Sequence, residues 1–428
     1  MLRCLTPIKA AFCLSLIFAV GEGKAEETQP DSPSAKPLLS RPSLLAGPGG
    51  PKEYLKDRGI GFDLRWTGFN QGVVKGDGDK SWRFGGKVDL LFLIDAHKLG
   101  LWEGLSVSFH QEWLHGHDAN TQGEGAQIPS NTAFAFPSLG GYDYDTSITV
   151  TQAFGDNASL TLGKFNMLDA AARTPLLGGG GLDTFMNLGL AAPISGVTPA
   201  YLLGGLFSYK TAPATFNLFI YDPRNAQDWD VIRNPFAEGF TTSLSATVPL
   251  TVAGRSGFHT FRGVYSTQEG YDLRDIPQLG LPPELQDEPR KKANPWYLSY
   301  AFQQYLFHDP DNPGKGWGVF GEVGLSNGNP NPAESHFFIG FGGDSFLPGR
   351  SEDRWGIAYF RYKVDSDLSQ AARDDLGFDL TTESGIEAYY NLAVTPWFRV
   401  TGDIQLIDPF PANKERAIMA GMRTQIRF

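Results

Sequence analysis

The chain has 428 residues, with 36 Lys or Arg against 47 Asp or Glu, and its net charge of -11 argues against a nucleic-acid-binding protein, which would present a basic face. Only one long apolar run exists, at the N-terminus, whereas a helical membrane protein needs several runs of about 20 apolar residues. Charged residues make only 19% of the chain, so it is not a disordered acidic protein either.

The N-terminal segment is typical of an export signal. Two basic residues precede an apolar stretch over residues 10–20, and small residues follow up to Ala25. This pattern predicts a cleaved secretory signal peptide over residues 1–25, since the apolar stretch is too short for an anchor that spans the membrane. Cys4 and Cys13 both lie in this leader, so the remaining chain offers no disulfide and no thiolate metal site.

The next segment, residues 26–55, is rich in Pro, Ser, Gly and Glu. That composition predicts a flexible periplasmic lead-in. Residues 56–428 are then predicted to form a single domain.

From about Gly59 onward, apolar and polar residues alternate with a period of two, and no sustained helical period is present. In one clear segment, Val88 and Leu90 lie on one face and Lys87 and Asp89 on the other. Segments of this kind recur about sixteen times, at the roughly ten-residue length of tilted membrane-spanning strands. They centre near positions 64, 89, 109, 149, 161, 205, 218, 244, 262, 300, 321, 340, 358, 387, 402 and 422.

A soluble sandwich would alternate in the same way, but two features favour a membrane barrel. Aromatic residues often stand at strand ends, as in the interfacial girdles of outer-membrane barrels. Connections alternate between short turns and longer polar loops, as periplasmic turns and external loops do. The sequence therefore predicts an all-β, transmembrane, antiparallel barrel of about sixteen strands. Its inward faces are expected to be strongly charged and to surround an aqueous lumen.

Several short motifs then add a family resemblance. The chain resembles the carbohydrate-selective porins of the OprB type over most of residues 55–428. The motifs that carry the resemblance are Gly59-Ile-Gly-Phe-Asp-Leu64, Val88-Asp-Leu-Leu91, Lys98-Leu-Gly-Leu-Trp102, Leu162-Gly-Lys-Phe165, Gly385-Ile-Glu-Ala-Tyr-Tyr390 and Thr395-Pro-Trp397.

The resemblance implies a bacterial outer-membrane porin through which glucose and similar mono- or disaccharides diffuse passively into the periplasm. It also implies a constriction lined by Arg, carboxylates and aromatics, and a third external loop that folds inward. The partners are then carbohydrate solutes, outer-membrane lipid and, through the terminal Phe428, the outer-membrane assembly machinery. A monomer and a homotrimer both remain open, and neither a cofactor nor a nucleic-acid partner is expected.

The third long connection, residues 166–198, is the loop to which the resemblance assigns this narrowing role. Its middle, residues 176–182, is rich in Gly, which permits a tight backbone path. Asp169, Arg173 and Asp183 flank the glycines. A loop that lies on the outer rim is the alternative, whereas a phosphate-binding loop is rejected because no Gly-Lys-Ser/Thr follows.

The alternation also predicts which charged residues face the lumen, where Arg donates several hydrogen bonds and carboxylates accept them from sugar hydroxyls. Aromatic faces suit the apolar side of a sugar ring. Each residue could instead be a hydrated charge of the wall or rim. The candidate constriction residues are Arg83, Asp89, Glu112, Arg173, Tyr221, Arg224 and Trp229. Further residues expected to face inward are Asp63, Arg65, Lys87, His110, Glu322, Glu387, Arg399, Asp403 and Arg423.

Enzymatic and metal-binding functions find little support. His110, His115 and His117 lie close together in the chain, but at the point where a strand runs into a loop, so no metal site is predicted. Neither a Gly-x-Ser-x-Gly elbow nor a His-Glu-x-x-His motif occurs, and no catalytic residue is predicted. A porin without sugar preference, general or ion-selective, remains the main alternative, and a hydrolase framed by the barrel is a weaker one.

Overall fold

Sixteen long strands close into one antiparallel barrel in this computed structural model, which describes residues 37–120, 122–138, 140–276, 288–309 and 315–428. The first barrel strand pairs with the last, so the described sheet has no open edge. Closure is required because hydrocarbon offers no hydrogen bonds to an unpaired backbone edge. The predicted fold class and strand number are confirmed.

The barrel strands follow one another in sequence order, with one interruption. Two short strands, β10 and β11, lie between β9 and β12 in the chain and form a separate sheet, so β9 pairs directly with β12. The strands are β1 (Ile60–Lys75), β2 (Arg83–Asp95), β3 (Leu105–Gly116), β4 (Tyr144–Phe154), β5 (Ala158–Asn166), β6 (Tyr201–Lys210), β7 (Thr215–Tyr221), β8 (Thr241–Val252), β9 (Arg255–Ser266), β10 (Gly270–Tyr271), β11 (Lys291–Lys292), β12 (Trp296–His308), β13 (Gly316–Ser326), β14 (Ala333–Asp344), β15 (Arg354–Val364), β16 (Thr382–Thr395), β17 (Phe398–Asp408) and β18 (Ala417–Arg427).

Short turns at one end of the barrel alternate with longer connections at the other, which we number as external loops. Loops 1 to 8 are residues 76–82, 117–143, 167–200, 222–240, 267–295, 327–332, 365–381 and 409–416. The helices are short and mostly lie in these loops: α1 (Pro51–Lys56), α2 (Thr132–Ser138), α3 (Met167–Ala171), α4 (Leu188–Ala191), α5 (Trp229–Arg233) and α6 (Ser366–Ala371), with a 3-10 turn at Leu38–Ser40 and a π-helical turn at Ala372–Leu376. Among the residues that the structure describes, no helix is both long and apolar enough to cross a membrane.

The predicted signal peptide and the first part of the predicted lead-in lie outside the described residues, and both stay predictions. The described part of the lead-in contacts the periplasmic end of the barrel. The backbone N–H of Leu44 donates to the carbonyl oxygen of Arg427 at 3.0 Å. The indole N–H of Trp397 donates to the carbonyl oxygen of Leu38 at 2.9 Å.

Exposure alternates along the strands as the sequence pattern predicts. On β7, Phe216, Leu218 and Ile220 are exposed on the outside of the barrel, whereas Asn217 and Phe219 are buried on the inside. Large apolar side chains exposed around a closed barrel form the surface that lipid covers.

The alternation is interrupted at Gly163 of β5. Its φ of +139° lies in a region that residues with a Cβ rarely adopt, and an added Cβ would lie 2.2 Å from the carbonyl oxygen of Ile148. In a regular strand the next residue, Lys164, would lie on the same lipid-facing side as Leu162. It instead turns inward, where its Nζ lies 2.5 Å from the buried carboxylate of Asp145.

The inner wall is not charged all the way around. On β13 to β16 the inward side chains Phe320, Phe338, Phe360 and Tyr389 are buried in an apolar cluster with side chains of loops 2 and 3. The ring of Phe185 in loop 3 packs edge-on against Tyr389 with centroids 4.9 Å apart. The expectation of strongly charged inward faces is therefore wrong for this sector, because an infolded loop needs an apolar surface on which to pack.

Candidate functional site

Loop 3 is held inside the barrel by side chains that point inward from the wall. Arg423 of β18 is only 1% exposed, and its guanidinium donates to the carbonyl oxygens of Gly181 and Thr184, both at 2.9 Å. Gln303 of β12 accepts the backbone N–H of Leu176 at 2.7 Å. These two contacts lie at opposite edges of the wall sector that runs from β12 to β18. Loop 3 therefore crosses the inner face of that sector.

Three consecutive glycines, at positions 179 to 181, give loop 3 its path. Their φ angles are +116°, +56° and +79°, all in the region that favours glycine. The sequence analysis predicted a tight backbone path at these residues. The tight path places the carbonyl of Gly181 where Arg423 can reach it.

Two glutamates on β16 bind the backbones of both infolded loops. The carboxylate of Glu387 accepts the N–H groups of Met186 and Asn187 in loop 3. Four residues earlier, on the same face of the strand, Glu383 accepts the N–H groups of residues 127 and 128 in loop 2, at 2.8 and 2.9 Å. Because each glutamate accepts two backbone N–H groups of one loop, β16 positions loops 2 and 3 together.

A row of partly exposed charges lies where loop 3 meets β1. Arg65 of β1 pairs with Asp183 of loop 3, with 3.3 Å between Nη1 and Oδ2. Asp63, on the same face of β1, pairs with Lys52 at 3.2 Å and with Arg427 at 3.3 Å. We term Arg65, Asp183 and Asp63 the charged edge. Their side chains are 16%, 34% and 24% exposed, respectively, so they keep contact with water.

The charge of Asp183 is secured by its surroundings. Burial by itself raises the pKa of this carboxyl, but the guanidinium groups of Arg65, Arg423 and Arg354 outweigh that effect and lower the pKa to about 2. Asp183 is therefore ionised at neutral pH, and the link between loop 3 and β1 is a full ion pair.

A histidine joins the wall to the start of loop 3. His110 of β3 lies with Nε2 3.0 Å from Asp89 on β2 and with Nδ1 3.0 Å from Asp169 on α3. Asp169 is about one-third exposed, whereas Asp89 is buried. The contact fixes the first turn of loop 3 against β2 and β3.

The wall opposite loop 3 carries hydroxyl groups. On the inward faces of β4 to β6, four partly exposed residues form what we term the hydroxyl wall: Thr149, Thr151, Thr161 and Ser208. The hydroxyls of Thr151 and Thr161 are hydrogen-bonded at 2.9 Å. In the strand order, β4 to β6 are eight strands away from β14 to β16, so they lie across the barrel from the sector that loop 3 covers.

Two of the predicted site residues, Asp89 and Glu112, lie close together, but they are buried in the wall beneath the loops. Asp89 and Glu112 are 2% and 1% exposed, and both contact the ammonium of Lys87. Glu112 also accepts from the hydroxyl of Tyr201 at 2.7 Å. With His110, these two carboxylates could offer three metal ligands within 4.8 Å of one another, but the Lys87 ammonium already supplies the cation there. They support the wall and offer almost no surface to a solute.

Tyr221 lies on the inward face of β7 but is covered by loop 3. Its side chain is fully buried, its ring centroid lies 4.9 Å from that of Phe219, and its hydroxyl is 3.0 Å from that of Thr198. It is the last residue of β7, and its ring packs in the apolar cluster with side chains of loops 2 and 3. In this structure its side chain offers no surface to a solute.

The other predicted residues are dispersed. Arg83 pairs with Asp79 of loop 1 at the external end of β2. Arg224 binds Asp222 of its own loop 4 with two hydrogen bonds, and Trp229 on α5 is 65% exposed in the same loop. Arg173 is exposed on loop 3, directly after α3.

The charged edge was only partly visible in the sequence. The alternation placed Asp63 and Arg65 in the lumen but did not separate them from other inward charges. The register of β1 with its neighbours sets Arg65 opposite Asp89 on β2 and Arg427 on β18. That pairing is long-range, so the charged residues at two alternate positions of β1, 63 and 65, were the only available signal.

Comparisons with known proteins agree with this geometry. The model of the family described as carbohydrate-selective porin, OprB family, matches residues 79–428. The high-pH structure of Pseudomonas putida OprB is similar at 18% identity, with a TM-score of 0.78 over 91% of this chain and 99% of that chain. The low-pH structure of the same protein aligns at 14% identity with a TM-score of 0.52, over 91% and 99% of the two chains. No functionally curated protein matches the sequence.

Proposed function

Since this chain belongs to the OprB family of carbohydrate-selective porins, we propose that glucose and similar mono- and disaccharides cross its lumen between loop 3 and the hydroxyl wall. The protein is a sugar-selective porin of the bacterial outer membrane, as its family and fold indicate. The observations that carry the finer proposal are the charged edge at loop 3 and the hydroxyl groups of β4 to β6, which lie three to five strands from β1 around the same inner wall.

This arrangement suits an uncharged solute that is rich in hydroxyl groups. A sugar gives up hydrogen bonds to water when it enters a narrow passage, and the barrier is low only if the wall replaces them. Arg65 donates from a fixed fork, and the carboxylates of Asp63 and Asp183 accept from hydroxyls. The Thr and Ser hydroxyls of the hydroxyl wall both donate and accept. Binding stays weak because most of these groups already have a protein partner, and weak binding allows release.

Among the seven residues predicted from sequence, Arg173 fits this role best. It is exposed on loop 3, near the partly exposed Asp169. We propose that Arg173 and the charged edge contact the sugar, while Asp89 and Glu112 hold the wall behind them. The role of Phe428 in assembly stays a proposal, and its removal should lower the amount of barrel inserted in the outer membrane.

Uptake by proteoliposomes tests the proposed passage. Glucose and a size-matched non-sugar polymer are supplied to liposomes that contain the wild type, Arg65→Ala or Arg373→Ala. Arg373 is a control arginine of loop 7 that is exposed and pairs with Asp379. We expect Arg65→Ala to lower the ratio of glucose to polymer uptake by roughly threefold, since one net hydrogen bond contributes about 0.5–1.5 kcal/mol.

The control variant should keep the wild-type ratio. If wild-type liposomes take up glucose and the polymer equally fast, the pore has no sugar preference and the alternative of a general porin holds. If the wild type discriminates but Arg65→Ala does so equally well, the passage lies elsewhere in the lumen.

A further inference from the structure

The outer surface of β15 carries positive charge where neighbouring strands carry apolar side chains. Arg361 and Lys363 are exposed at the external end of this strand. In the strand register Arg361 lies beside Phe337 of β14 and Ser384 of β16. Phe337 is exposed on the lipid side, so Arg361 points outward as well, away from the lumen.

The two cations differ in how they are compensated. Lys363 pairs with Glu334 of β14 at 2.8 Å. Within the described part of the chain, the guanidinium of Arg361 has neither an ion-pair nor a hydrogen-bond partner. One full positive charge on the lipid-facing surface is therefore left without a protein counter-charge.

The position of Arg361 corresponds to the headgroup region of the outer leaflet. It lies three residues before the end of β15 at Val364, which is about 10 Å along the strand at roughly 3.3 Å per residue. A charge on the lipid face is strongly unfavourable at the midplane but tolerated near the interface. Farther down the same face, Ile357 on β15 and Ile386 on β16 are exposed and apolar.

We propose that Arg361 and the hydroxyl of Ser384 bind the phosphate group of a lipid of the outer leaflet. The guanidinium fork matches the geometry of phosphate oxygens, and a neighbouring hydroxyl donates a further hydrogen bond. The apolar surface below Arg361 receives the acyl chains of the same lipid. Because the site combines the Arg361 charge with an apolar surface for acyl chains, it should prefer a phosphorylated lipid to free phosphate.

A second copy of this chain suits the site less well. A symmetric contact needs an acidic residue on the outer surface that is free to pair with Arg361. The acidic side chains beside the outer faces of β14 and β17 are already paired: Glu334 with Lys363, and Asp408 with Arg416 through two hydrogen bonds. A lipid phosphate meets no such competition.

Native mass spectrometry of the detergent-solubilised barrel tests the proposal. The full chain is incubated with diphosphoryl lipid A, with its fully dephosphorylated form or with inorganic phosphate. We expect wild type to retain diphosphoryl lipid A about tenfold more strongly than Arg361→Gln, the loss expected for one charge-assisted contact. Dephosphorylated lipid should bind the two proteins equally, and inorganic phosphate should not displace the lipid.

Two further variants keep the test decisive. Arg255→Gln removes an exposed arginine at the opposite, periplasmic end of β9 and should bind lipid like the wild type. Arg361→Lys should recover part of the affinity, and heat-modifiable migration on gels checks that each barrel is folded. Equal retention by wild type and Arg361→Gln would overturn the proposal. So would dimers or trimers that dissociate on Arg361→Gln without any change in lipid binding, since Arg361 would then contact another copy.

Discussion

Loops 3 and 4 are both long external connections that contain Arg, Asp and aromatic or apolar residues, yet they adopt opposite positions. Loop 3 is bound to inward side chains of the barrel wall, above all Glu387 and Arg423. Loop 4 is held by internal contacts of Arg224 and Asp222 and by hydrogen bonds to β6 and loop 2, and it exposes Trp229. The local sequence of a loop therefore does not decide whether it enters the lumen.

The partners on the wall make the difference. A loop inside a barrel loses water from its backbone N–H and C=O groups, which then need other partners. For loop 3, Glu387 and Gln303 accept N–H groups, while Arg423 donates to carbonyls. The apolar sector of β13 to β16 also receives its side chains. Charged residues that face inward thus serve two purposes, and only some of them touch the solute.

The largest effect is expected from removing an anchor of loop 3. In Glu387→Ala the backbone N–H groups of Met186 and Asn187 lose their acceptor while buried, at a cost of about 1–3 kcal/mol each. Loop 3 should leave the wall, so single-channel conductance should rise and noise should increase. The matched control is Glu334→Ala on the outer surface, which should leave conductance unchanged. Unaltered conductance in Glu387→Ala would mean that other contacts suffice to hold the loop.

A smaller effect is expected from the ion pair at the charged edge. The pKa of Asp183 is lowered to about 2 in the folded protein, against about 3.9 in an unfolded chain. The pair therefore stabilises loop 3 fully above about pH 4, and this stabilisation is lost as the pH falls toward 2. Since the carboxylate is one-third exposed, screening limits the contribution to about 1 kcal/mol.

The measurement is the protease sensitivity of loop 3, or the channel noise, between pH 5 and pH 2, in the wild type and in Asp183→Asn. Other carboxylates also protonate in this range, so the informative quantity is the difference between the two proteins. The wild type should have the more stable loop 3 above about pH 4, and the two should converge near pH 2. A constant difference across the range would show that Asp183 acts by shape and not by charge.

A still smaller effect is expected when loop 4 loses its internal ion pair. Arg224→Ala removes the contacts with Asp222 and Asp230 and should make loop 4 more open to proteolysis. Conductance and sugar uptake should change by less than the scatter between channels, because no described contact ties Arg224 to loop 3. A clear fall in glucose uptake would show that Arg224 contacts the sugar after all.

The smallest effect is expected from Trp229→Ala. The indole is largely exposed on α5 and no described hydrogen bond involves its N–H group, so stability should change by no more than about 0.5 kcal/mol. Glucose uptake should equal that of the wild type. Reduced uptake with unchanged folding would show that this side chain contacts the sugar, as the sequence analysis predicted for a constriction residue.

Local patterns account for what could be predicted. The period-two alternation identified the strands and most of their lipid-facing sides, and the glycines at 179 to 181 indicated the tight path of loop 3. Tyr221 shows the limit of local patterns. It is the last residue of β7 and lies on the inward face, but the contact with Thr198 of loop 3 that helps to bury it is tertiary and leaves no local signal.

The sequence by itself determined the barrel, because alternation is a property of neighbouring residues and closure follows from the lack of hydrogen-bond partners in lipid. It also determined that charged side chains enter the lumen. Only the tertiary structure decided which of them are buried anchors, such as Glu387 and Arg423, and which stay wet, such as Arg65 and Asp183. That choice depends on contacts between loop 3 and strands 118 to 242 residues away in the chain, which no local pattern records.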